Sequence, residues 1–278
     1  MRKVSLLIAN YNSGNYFTNC YDSILKQTYD NWEVIIVDDC STDNSIQIIK
    51  KLIENDSRFL LFQNSENKGC GYTKRRCVEL ATGDLCAFLD PDDALYPHAL
   101  EYSELELEKK SLIGIYSQMA ICDENLELQN IYTQTKQICN NKYFFNYPIQ
   151  ITHFFTFRKS AYLKTTGINP NLKKAVDQDL YLKLLEQGNV KFIPEVLYKY
   201  RSHSKNISQS DSKQEVKYSF ALVIHETMKR RSLTKINKQK IPDIYENYEE
   251  IFSLLNYQIS IKYRFFDKLK ILFRCCFN

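Results

Sequence analysis

The sequence has little glycine and no paired cysteine motif. Only seven of its 278 residues are glycine, which argues against a glycine-rich flexible architecture. The nine cysteines are irregularly spaced, odd in number and include no Cys-x-x-Cys pair, so a disulfide framework or a zinc site receives little support. We therefore expect a protein of the reducing cytoplasm.

Long apolar runs are also missing. The N-terminus has one short apolar run before polar residues follow, which is too short for the core of a signal peptide. No stretch of about 18 apolar residues predicts a membrane span. The composition, 44% hydrophobic and 25% charged, is that of a globular protein with a sizeable core, built as one large domain or one domain plus an appendage.

The charged residues are unevenly placed. The formal net charge of +4 is modest, and we expect no nucleic-acid partner. Residues 262–278 hold five Lys or Arg and one Asp, interleaved with Phe and Leu. At helical spacing this forms a basic amphipathic face. Two interpretations stay open: peripheral contact with the inner face of the cell membrane, or a terminal helix whose apolar side docks on the protein.

Short apolar runs alternate with amphipathic segments in the first hundred residues. The predicted strands are Lys3–Ala9, Trp32–Val37, Phe59–Gln63 and Leu85–Leu89. The predicted helices are Tyr16–Gln27, Ser45–Glu54 and Tyr72–Ala81. This order predicts an α/β fold with a mostly parallel sheet and helices on both faces. Ligands of such sheets bind beyond the carboxyl ends of the strands, so the polar loops 10–13, 38–43 and 90–93 should converge on one crevice.

The pattern beyond residue 100 is weaker. Helices are predicted at Leu100–Lys110 and Asp179–Gln187, and strands at Gly114–Cys122, Ile151–Phe157 and Asn189–Pro194. We expect a hairpin or loop over residues 123–150, a linker or mobile loop over Lys205–Lys217, and helices over residues 218–278.

Three carboxylates follow the fourth predicted strand within four residues, namely Asp90, Asp92 and Asp93. They repel one another unless a cation neutralises them, and Pro91 fixes one backbone dihedral between them. Mg²⁺ and Mn²⁺ prefer oxygen ligands and take one or two carboxylates with substrate phosphates. Such a cation offsets the charge on a departing nucleoside diphosphate. The alternative is a solvated acidic turn that caps the helix beginning near Tyr96.

The other strand ends also carry polar groups. A carboxylate of Asp38 or Asp39 could accept the N3–H of a uracil or a ribose hydroxyl, while residues 41–43 cap the following helix. Asn10–Asn12 could offer an aromatic face and polar groups to a base, or form an ordinary strand-to-helix turn. Of Lys74–Arg76, one or two side chains can face a diphosphate, since adjacent helical residues diverge around the axis.

Taken together, six segments resemble the nucleotide-binding half of glycosyltransferase family 2: Ser5–Asn12, Ser23–Thr28, Val34–Asp43, Asn67–Gly69, Ala81–Asp84 and Phe88–Asp93. The resemblance implies a GT-A fold, a nucleotide-diphosphate sugar donor, a divalent cation and inversion at the anomeric carbon. It implies a GT-A domain over residues 1–205, with a nucleotide-binding half (1–100) and an acceptor-binding half (101–205). A helical region, 206–278, follows.

The resemblance also implies which residues bind the donor. It places Ala9 and Tyr11 in the base pocket and Asp39 against the uracil. Lys74 stands where family members commonly carry an arginine, and a lysine keeps the charge but loses the bidentate fork. Asp90 occupies the first D-x-D position.

The implied cation site and catalytic base lie further along the chain. Asp92, at the second D-x-D position, is the main metal contact, and Asp93 beside it contacts the ribose or the metal. His203 completes the metal shell or contacts the diphosphate, although a lone histidine is more often structural. Asp177 falls at the position of the base, next to Val176 where family members often have glutamate. A helix start favours a carboxylate electrostatically, and the alternative is that Asp177 only caps the helix.

These implications predict an inverting glycosyltransferase that moves a sugar from a UDP-sugar to a hydroxyl of a glycan or lipid-linked glycan. Surface polysaccharide or lipopolysaccharide assembly in a bacterium is the expected setting. Two alternatives stay open. A metal-dependent nucleotidyltransferase would normally have a Gly-rich phosphate loop after the first strand, where residues 10–16 offer only Gly14. A non-catalytic relative would bind the nucleotide sugar without turnover.

Overall fold

The computed structural model describes residues 1–203 and 213–276. The N-terminal elements are β1 (Val4–Asn10), α1 (Gly14–Leu25), β2 (Trp32–Asp38), α2 (Ser45–Ile53), β3 (Phe59–Gln63), α3 (Cys70–Leu80) and β4 (Leu85–Phe88). The middle elements are β5 (Ala94–Leu95), α4 (Ala99–Glu106), β6 (Leu112–Cys122), β7 (Leu128–Ile131), β8 (Phe155–Arg158), α5 (Lys159–Tyr162), α6 (Val176–Leu185) and β9 (Asn189–Arg201). The C-terminal elements are α7 (Lys213–Arg230), β10 (Lys235–Ile236), β11 (Gln239–Lys240), α8 (Tyr248–Leu255), a 3-10 helix (Asn256–Ile259) and α9 (Ile261–Cys276).

A central sheet joins both halves of the chain in the strand order β3-β2-β1-β4-β8-β6-β9-β5, with β7 paired to β6. Strands β1 to β4 pair in parallel, as the alternating pattern predicts. Beyond them the sheet is mixed, because β8 runs antiparallel to both β4 and β6. The carboxyl ends of β1, β2 and β4 therefore lie at one edge of the sheet.

Two apolar clusters cover the two faces of this sheet. Successive residues of a strand point to opposite faces, so Leu7 belongs to one cluster and Leu6 to the other, both fully buried. Helices α3 and α6 pack on the Leu7 side, and α1 packs on the Leu6 side. This arrangement confirms the prediction of helices on both faces.

Strand β9 extends well past its predicted end at Pro194. Proline has no N–H for a sheet ladder and is tolerated in a strand where the pairing is irregular. The register with β6 shifts at this point, where Ile193 lies opposite Ser117 and Val196 lies opposite Gln118. The strand continues to Arg201 beyond this bulge. The extension carries Arg201 and His203 to the acidic loop that follows β4.

The C-terminal region differs from the sequence-based prediction at two places. It contains the β10–β11 hairpin within the range predicted to be helical. Asn237 and Lys238 adopt positive φ angles of 46° and 69°, as a tight hairpin turn requires. Helix α7 begins at Lys213, inside the predicted loop Lys205–Lys217, and its first turn is polar because it is exposed. The remainder of that predicted loop, residues 205–212, lies outside the described residues.

Helices α7 and α8 share a third apolar cluster, which also includes Phe145 from the segment between β7 and β8. This cluster fixes the C-terminal region against the segment that leads into β8. In the ranges 1–203 and 213–276, no helix combines the length and the apolar character needed to cross a membrane.

Candidate active site

A side-chain hydrogen bond joins the carboxyl ends of β1 and β2. Asn10 Nδ2 donates to Asp38 Oδ1 at 2.7 Å, and the second oxygen of Asp38 accepts from the Ser41 N–H at 2.9 Å. Asp38 is fully buried. Its carboxylate therefore shapes the loop, and the neighbouring Asp39 is the better placed of the two for a ligand.

The Asp39 carboxylate links the end of β2 to the start of α3 through hydrogen bonds. Its Oδ1 accepts from Asn64 Nδ2 at 2.6 Å and from the Lys68 N–H at 2.8 Å, and its Oδ2 accepts from the Gly69 N–H at 2.7 Å. Gly69 has a φ of 86°, a conformation that glycine adopts without steric cost. A carboxylate oxygen can accept two hydrogen bonds, so Oδ2 can accept one more beside that from Gly69.

The aromatic ring of Tyr11, the residue that follows β1, lies at the surface. The Tyr11 side chain is 45% exposed, because the next residue, Asn12, turns the chain with a φ of 53°. Asn12 Oδ1 accepts a 2.8 Å hydrogen bond from the Thr42 N–H, which holds this turn. Ala9, two residues earlier, is partly buried against the core. The end of β1 thus presents an exposed aromatic ring.

Lys74 connects the two halves of the crevice. Its Nζ lies 2.8 Å from Asp177 Oδ1, at the start of α6, and 3.2 Å from Asp90 Oδ1, after β4. Burial alone would lower the pKa of Lys74, but the carboxylates of Asp177 and Asp90 outweigh it and raise that pKa well above its usual value. The ammonium therefore stays charged between the two carboxylates.

The same contacts determine the charge of Asp177. Burial alone would raise the pKa of Asp177, but Lys74 and then His153 outweigh burial and lower it. Asp177 is consequently ionised at neutral pH, as a proton acceptor must be. Asp179, two residues later, instead accepts a hydrogen bond from the Asn169 N–H and forms an ion pair with Lys183. Asp179 therefore stabilises the loop that precedes α6.

His153 is a crevice residue that the sequence reasoning missed. Its Nε2 lies 4.0 Å from Asp90 Oδ2 and 4.0 Å from Asp177 Oδ2. The ring stacks on Tyr198 with centroids 4.9 Å apart and an interplanar angle of 19°. A lone histidine in an apolar segment has no spacing signal that distinguishes it from a core residue, so only the three-dimensional structure identifies it.

The adjacent residues Asp92 and Asp93 point to different environments. Asp92 Oδ2 lies 2.9 Å from His203 Nε2. Asp93 is buried, and its oxygens accept from the Tyr198 hydroxyl at 2.6 Å and from the Arg201 N–H at 2.7 Å. Asp93, which the sequence suggested as a metal contact, thus has both oxygens engaged in joining the acidic loop to β9.

Burial and repulsion between neighbouring carboxylates raise the pKa of two aspartates in this loop. Burial, followed by repulsion from Asp90, raises the pKa of Asp92. Burial, followed by repulsion from Asp92, raises the pKa of Asp93 well above its usual value. A divalent cation at the loop would reverse this effect, because it favours the ionised carboxylates.

Asp92 and His203 fit a cation that arrives with a phosphate ligand. Across the part of the chain that the structure describes, no three His, Cys, Asp or Glu side chains are grouped so that they could hold a metal ion. Two ligands on adjacent corners of an octahedral Mg²⁺ shell, each about 2.1 Å from the ion, lie about 3 Å apart. Asp92 Oδ2 and His203 Nε2 form a direct hydrogen bond of 2.9 Å, and a cation that replaced this bond would find the two atoms at that spacing. Mg²⁺ usually takes few protein ligands and completes its shell with substrate phosphates and water.

Comparison with known sequences places the chain in a family. The sequence matches the profile of glycosyl transferase family 2 over residues 5–165, more than half of the chain. The chain belongs to glycosyltransferase family 2. The sequence motifs predicted this membership.

Curated relatives of this glycosyltransferase include polysaccharide synthases. A hyaluronan synthase of Pasteurella multocida is 31% identical over 261 residues, which cover 90% of this chain and 25% of the synthase. A chondroitin synthase of Escherichia coli is 32% identical over 256 residues, which cover 87% of this chain and 35% of that protein. The putative glycosyltransferase EpsE of Bacillus subtilis is 30% identical, with 73% of this chain and 74% of EpsE covered. The chain spans between a quarter and about a third of the two synthases.

Solved structures confirm the GT-A fold of this glycosyltransferase. Staphylococcus aureus TarS in complex with UDP-GlcNAc superposes with a TM-score of 0.69 at 20% identity, covering 93% of this chain and 73% of the TarS chain. The mannosyltransferase PcManGT of Pyrobaculum calidifontis, solved with GDP-Man and Mn²⁺, superposes with a TM-score of 0.60 at 14% identity. That match covers 92% of this chain and 68% of the mannosyltransferase.

Proposed function

We propose that this glycosyltransferase moves a sugar from a nucleotide-diphosphate donor, a UDP-sugar, to a hydroxyl acceptor with inversion at the anomeric carbon. The observation that carries the proposal is the contact of Lys74 with both Asp90 and Asp177. Through it, a carboxylate of the nucleotide-binding half and a carboxylate of the acceptor-binding half face one crevice. UDP-GlcNAc in the TarS complex supports the choice of donor.

The donor is bound by groups at the ends of β1, β2 and α3. Tyr11 stacks on the base beside Ala9, and the free acceptor site of Asp39 Oδ2 takes the N3–H of uracil. Lys74 and the Asp90 loop face the diphosphate. Asp92 and His203 hold a divalent cation, Mn²⁺ or Mg²⁺, as the Mn²⁺ in the mannosyltransferase structure suggests for the family. When bound, that cation offsets the negative charge on the departing diphosphate.

Asp177 acts as the general base. The acceptor hydroxyl oxygen attacks the anomeric carbon, the bond from that carbon to the diphosphate oxygen breaks, and the nucleoside diphosphate departs. The acceptor proton passes to the Asp177 carboxylate, which is ionised because Lys74 and His153 stabilise its charge. One displacement from the face opposite the leaving group gives inversion.

The acceptor is a glycan or a lipid-linked glycan in surface polysaccharide or lipopolysaccharide assembly. The relatives named as hyaluronan and chondroitin synthases support a polysaccharide role. Seven of the nine cysteines, those at positions 20 to 139, are unpaired, which is typical of a protein in the reducing cytoplasm. The division into a GT-A domain (1–205) and a helical region (206–278) belongs to the same proposal.

A panel of nucleotide sugars tests the proposed function. We expect release of the nucleoside diphosphate from one UDP-sugar, loss of that release on chelation, and recovery with Mn²⁺ or Mg²⁺. A nucleotidyltransferase would release pyrophosphate from a nucleoside triphosphate instead. Binding of the donor without release under any condition would identify a non-catalytic relative. Either result would contradict the proposal.

Helix α9 supplies a surface for an anionic membrane. Ile261, Phe265 and Phe266 are 89%, 59% and 51% exposed. Tyr263 and Asp267, on another side of the helix, line a cavity of about 300 Å³ against the protein body. Exposed lysines and arginines lie along the same helix, namely Lys262, Arg264, Lys268 and Lys270. Apolar side chains combined with basic ones fit an interface rich in anionic lipid, and we propose that α9 holds the enzyme at the inner face of the cell membrane.

Replacing Phe265 and Phe266 together by serine is expected to weaken vesicle binding by about tenfold or more, because each buried phenylalanine contributes about 1.5–3 kcal/mol. Co-sedimentation with vesicles of equal parts phosphatidylglycerol and phosphatidylcholine measures the binding. Ile244→Ser is the matched control, since Ile244 is 72% exposed and lies outside α9. Equal binding of the double variant, or loss of a dimer instead of vesicle binding, would contradict the membrane contact.

A further inference from the structure

His153 lies where an acceptor hydroxyl would meet Asp177. Its Nε2 is 4.0 Å from Asp177 Oδ2, which is too long for a direct hydrogen bond. A single oxygen atom can nevertheless lie at an ordinary hydrogen-bond distance of about 2.8 Å from both groups. Two polar atoms at this separation can therefore share one hydroxyl between them.

The surroundings of His153 hold its ring in place and leave the ring nitrogens available. Stacking on Tyr198 fixes the plane of the ring. The Tyr198 hydroxyl is itself held by the 2.6 Å hydrogen bond that it donates to Asp93 Oδ2. In the ranges 1–203 and 213–276, the ring nitrogens have no hydrogen-bond partner, and the side chain retains 17% exposure. A polar group that is fixed in orientation but unpaired is suited to bind a ligand.

We infer that His153 binds the acceptor hydroxyl oxygen and orients it for attack. The inference rests on the proposed function of Asp177 as the base. The Nε2–H of His153 donates to the hydroxyl oxygen, while the hydroxyl donates its own proton toward Asp177 Oδ2. These two contacts fix both the proton and one lone pair of the oxygen, so the remaining lone pair is directed away from both residues, toward the anomeric carbon. His153 supplies a hydrogen bond and transfers no proton.

The geometry also explains why Lys74 lies on the opposite side of the same carboxylates. Lys74 contacts the Oδ1 atoms of Asp177 and Asp90, whereas His153 faces their Oδ2 atoms. Lys74 therefore neutralises the carboxylates and His153 remains free for the incoming hydroxyl. The hydroxyl site thus has one donor, His153 Nε2, and two carboxylate oxygens 4.0 Å from it, Asp177 Oδ2 and Asp90 Oδ2. Of these two carboxylates, Asp177 is the proposed base.

Two substitutions separate this role from a structural one. His153→Phe keeps a planar ring for the stack on Tyr198 and removes the nitrogen donor. His153→Gln keeps an N–H donor at a similar reach and removes the ring. Transfer from the best UDP-sugar of the panel to p-nitrophenyl glycosides of hexoses and N-acetylhexosamines is the assay. UDP binding and the thermal unfolding midpoint are measured on the same preparations.

The inference predicts that His153→Phe lowers kcat/KM for the glycoside about tenfold, the loss expected for one hydrogen bond to substrate. UDP affinity and the unfolding midpoint stay at the wild-type values, and His153→Gln recovers part of the loss. Wild-type transfer by His153→Phe would overturn the inference, as would equal losses in both variants. A lost affinity for UDP would show instead that His153 holds the donor site together. Failure of the wild-type enzyme to transfer any sugar would sink the proposed function itself, which is a different result.

Discussion

Asp177→Asn is expected to lower kcat for sugar transfer by about 10²–10⁴-fold while the affinity for UDP changes little. The amide has the same shape as the carboxylate but cannot take the acceptor proton, and general base catalysis contributes about that factor. Lys74 keeps its contact with Asp90 at 3.2 Å, so the donor side of the crevice stays neutralised. Steady-state transfer rates and calorimetric titration with UDP measure the two quantities.

The control for this prediction is Asp22→Asn, an equivalent change at an exposed aspartate on α1. It should transfer at the wild-type rate, because Asp22 lies outside the crevice. Retention of wild-type kcat in Asp177→Asn would contradict the assignment of the base. So would a parallel loss of kcat and UDP affinity, because it would make Asp177 a donor-binding residue.

Asp92→Ala is expected to remove the response of transfer to divalent cations and to reduce the rate at saturating cation by about a thousandfold. Stabilisation of a developing charge by a metal ion contributes several kcal/mol, and about 1.4 kcal/mol corresponds to each factor of ten. The prediction follows from the 2.9 Å separation of Asp92 and His203, which suits two ligands of one ion. A Mn²⁺ titration of transfer activity, starting from chelated enzyme, measures the response.

The adjacent residue provides the matched comparison, because Asp93→Ala removes the same chemical group one position away. Asp93 accepts from Tyr198 and the Arg201 N–H in a buried setting. Its loss removes the acceptor of both buried hydrogen bonds and should reduce the free energy of unfolding by about 2–4 kcal/mol. The apparent affinity of the folded variant for Mn²⁺ should stay close to that of the wild type. If Asp93→Ala loses cation affinity and Asp92→Ala keeps it, the assignments of the two aspartates are reversed.

The first hundred residues are predictable because their pattern is local. Buried parallel strands require continuous apolar runs, and the runs that end at Asn10 and Asp38 mark β1 and β2 within one residue. The polar groups at the strand ends follow from the parallel order, since those ends must lie at one edge of the sheet. The resemblance to family 2 predicted that Lys74 and Asp177 belong to the site. In the structure, Lys74 Nζ lies 2.8 Å from Asp177 Oδ1.

The orientation of neighbouring side chains was not predictable from the sequence. Asp92 and Asp93 are identical residues in one loop, and only the packing of β9 against that loop turns Asp93 inward. Strand β9 itself passes Pro194, where a sequence rule predicts an end, because the bulge opposite Ser117 accommodates the proline. His153 carries no local signal, since its partners lie 63 residues before it and 24 after it in the chain.

A crystal structure of the enzyme with UDP and Mn²⁺ tests the central claim most directly. We expect the ion between Asp92 and His203 with diphosphate oxygens in its shell, and the uracil against Tyr11 with its N3–H on Asp39. UDP bound outside the crevice, or an ion that contacts neither Asp92 nor His203, would contradict the account.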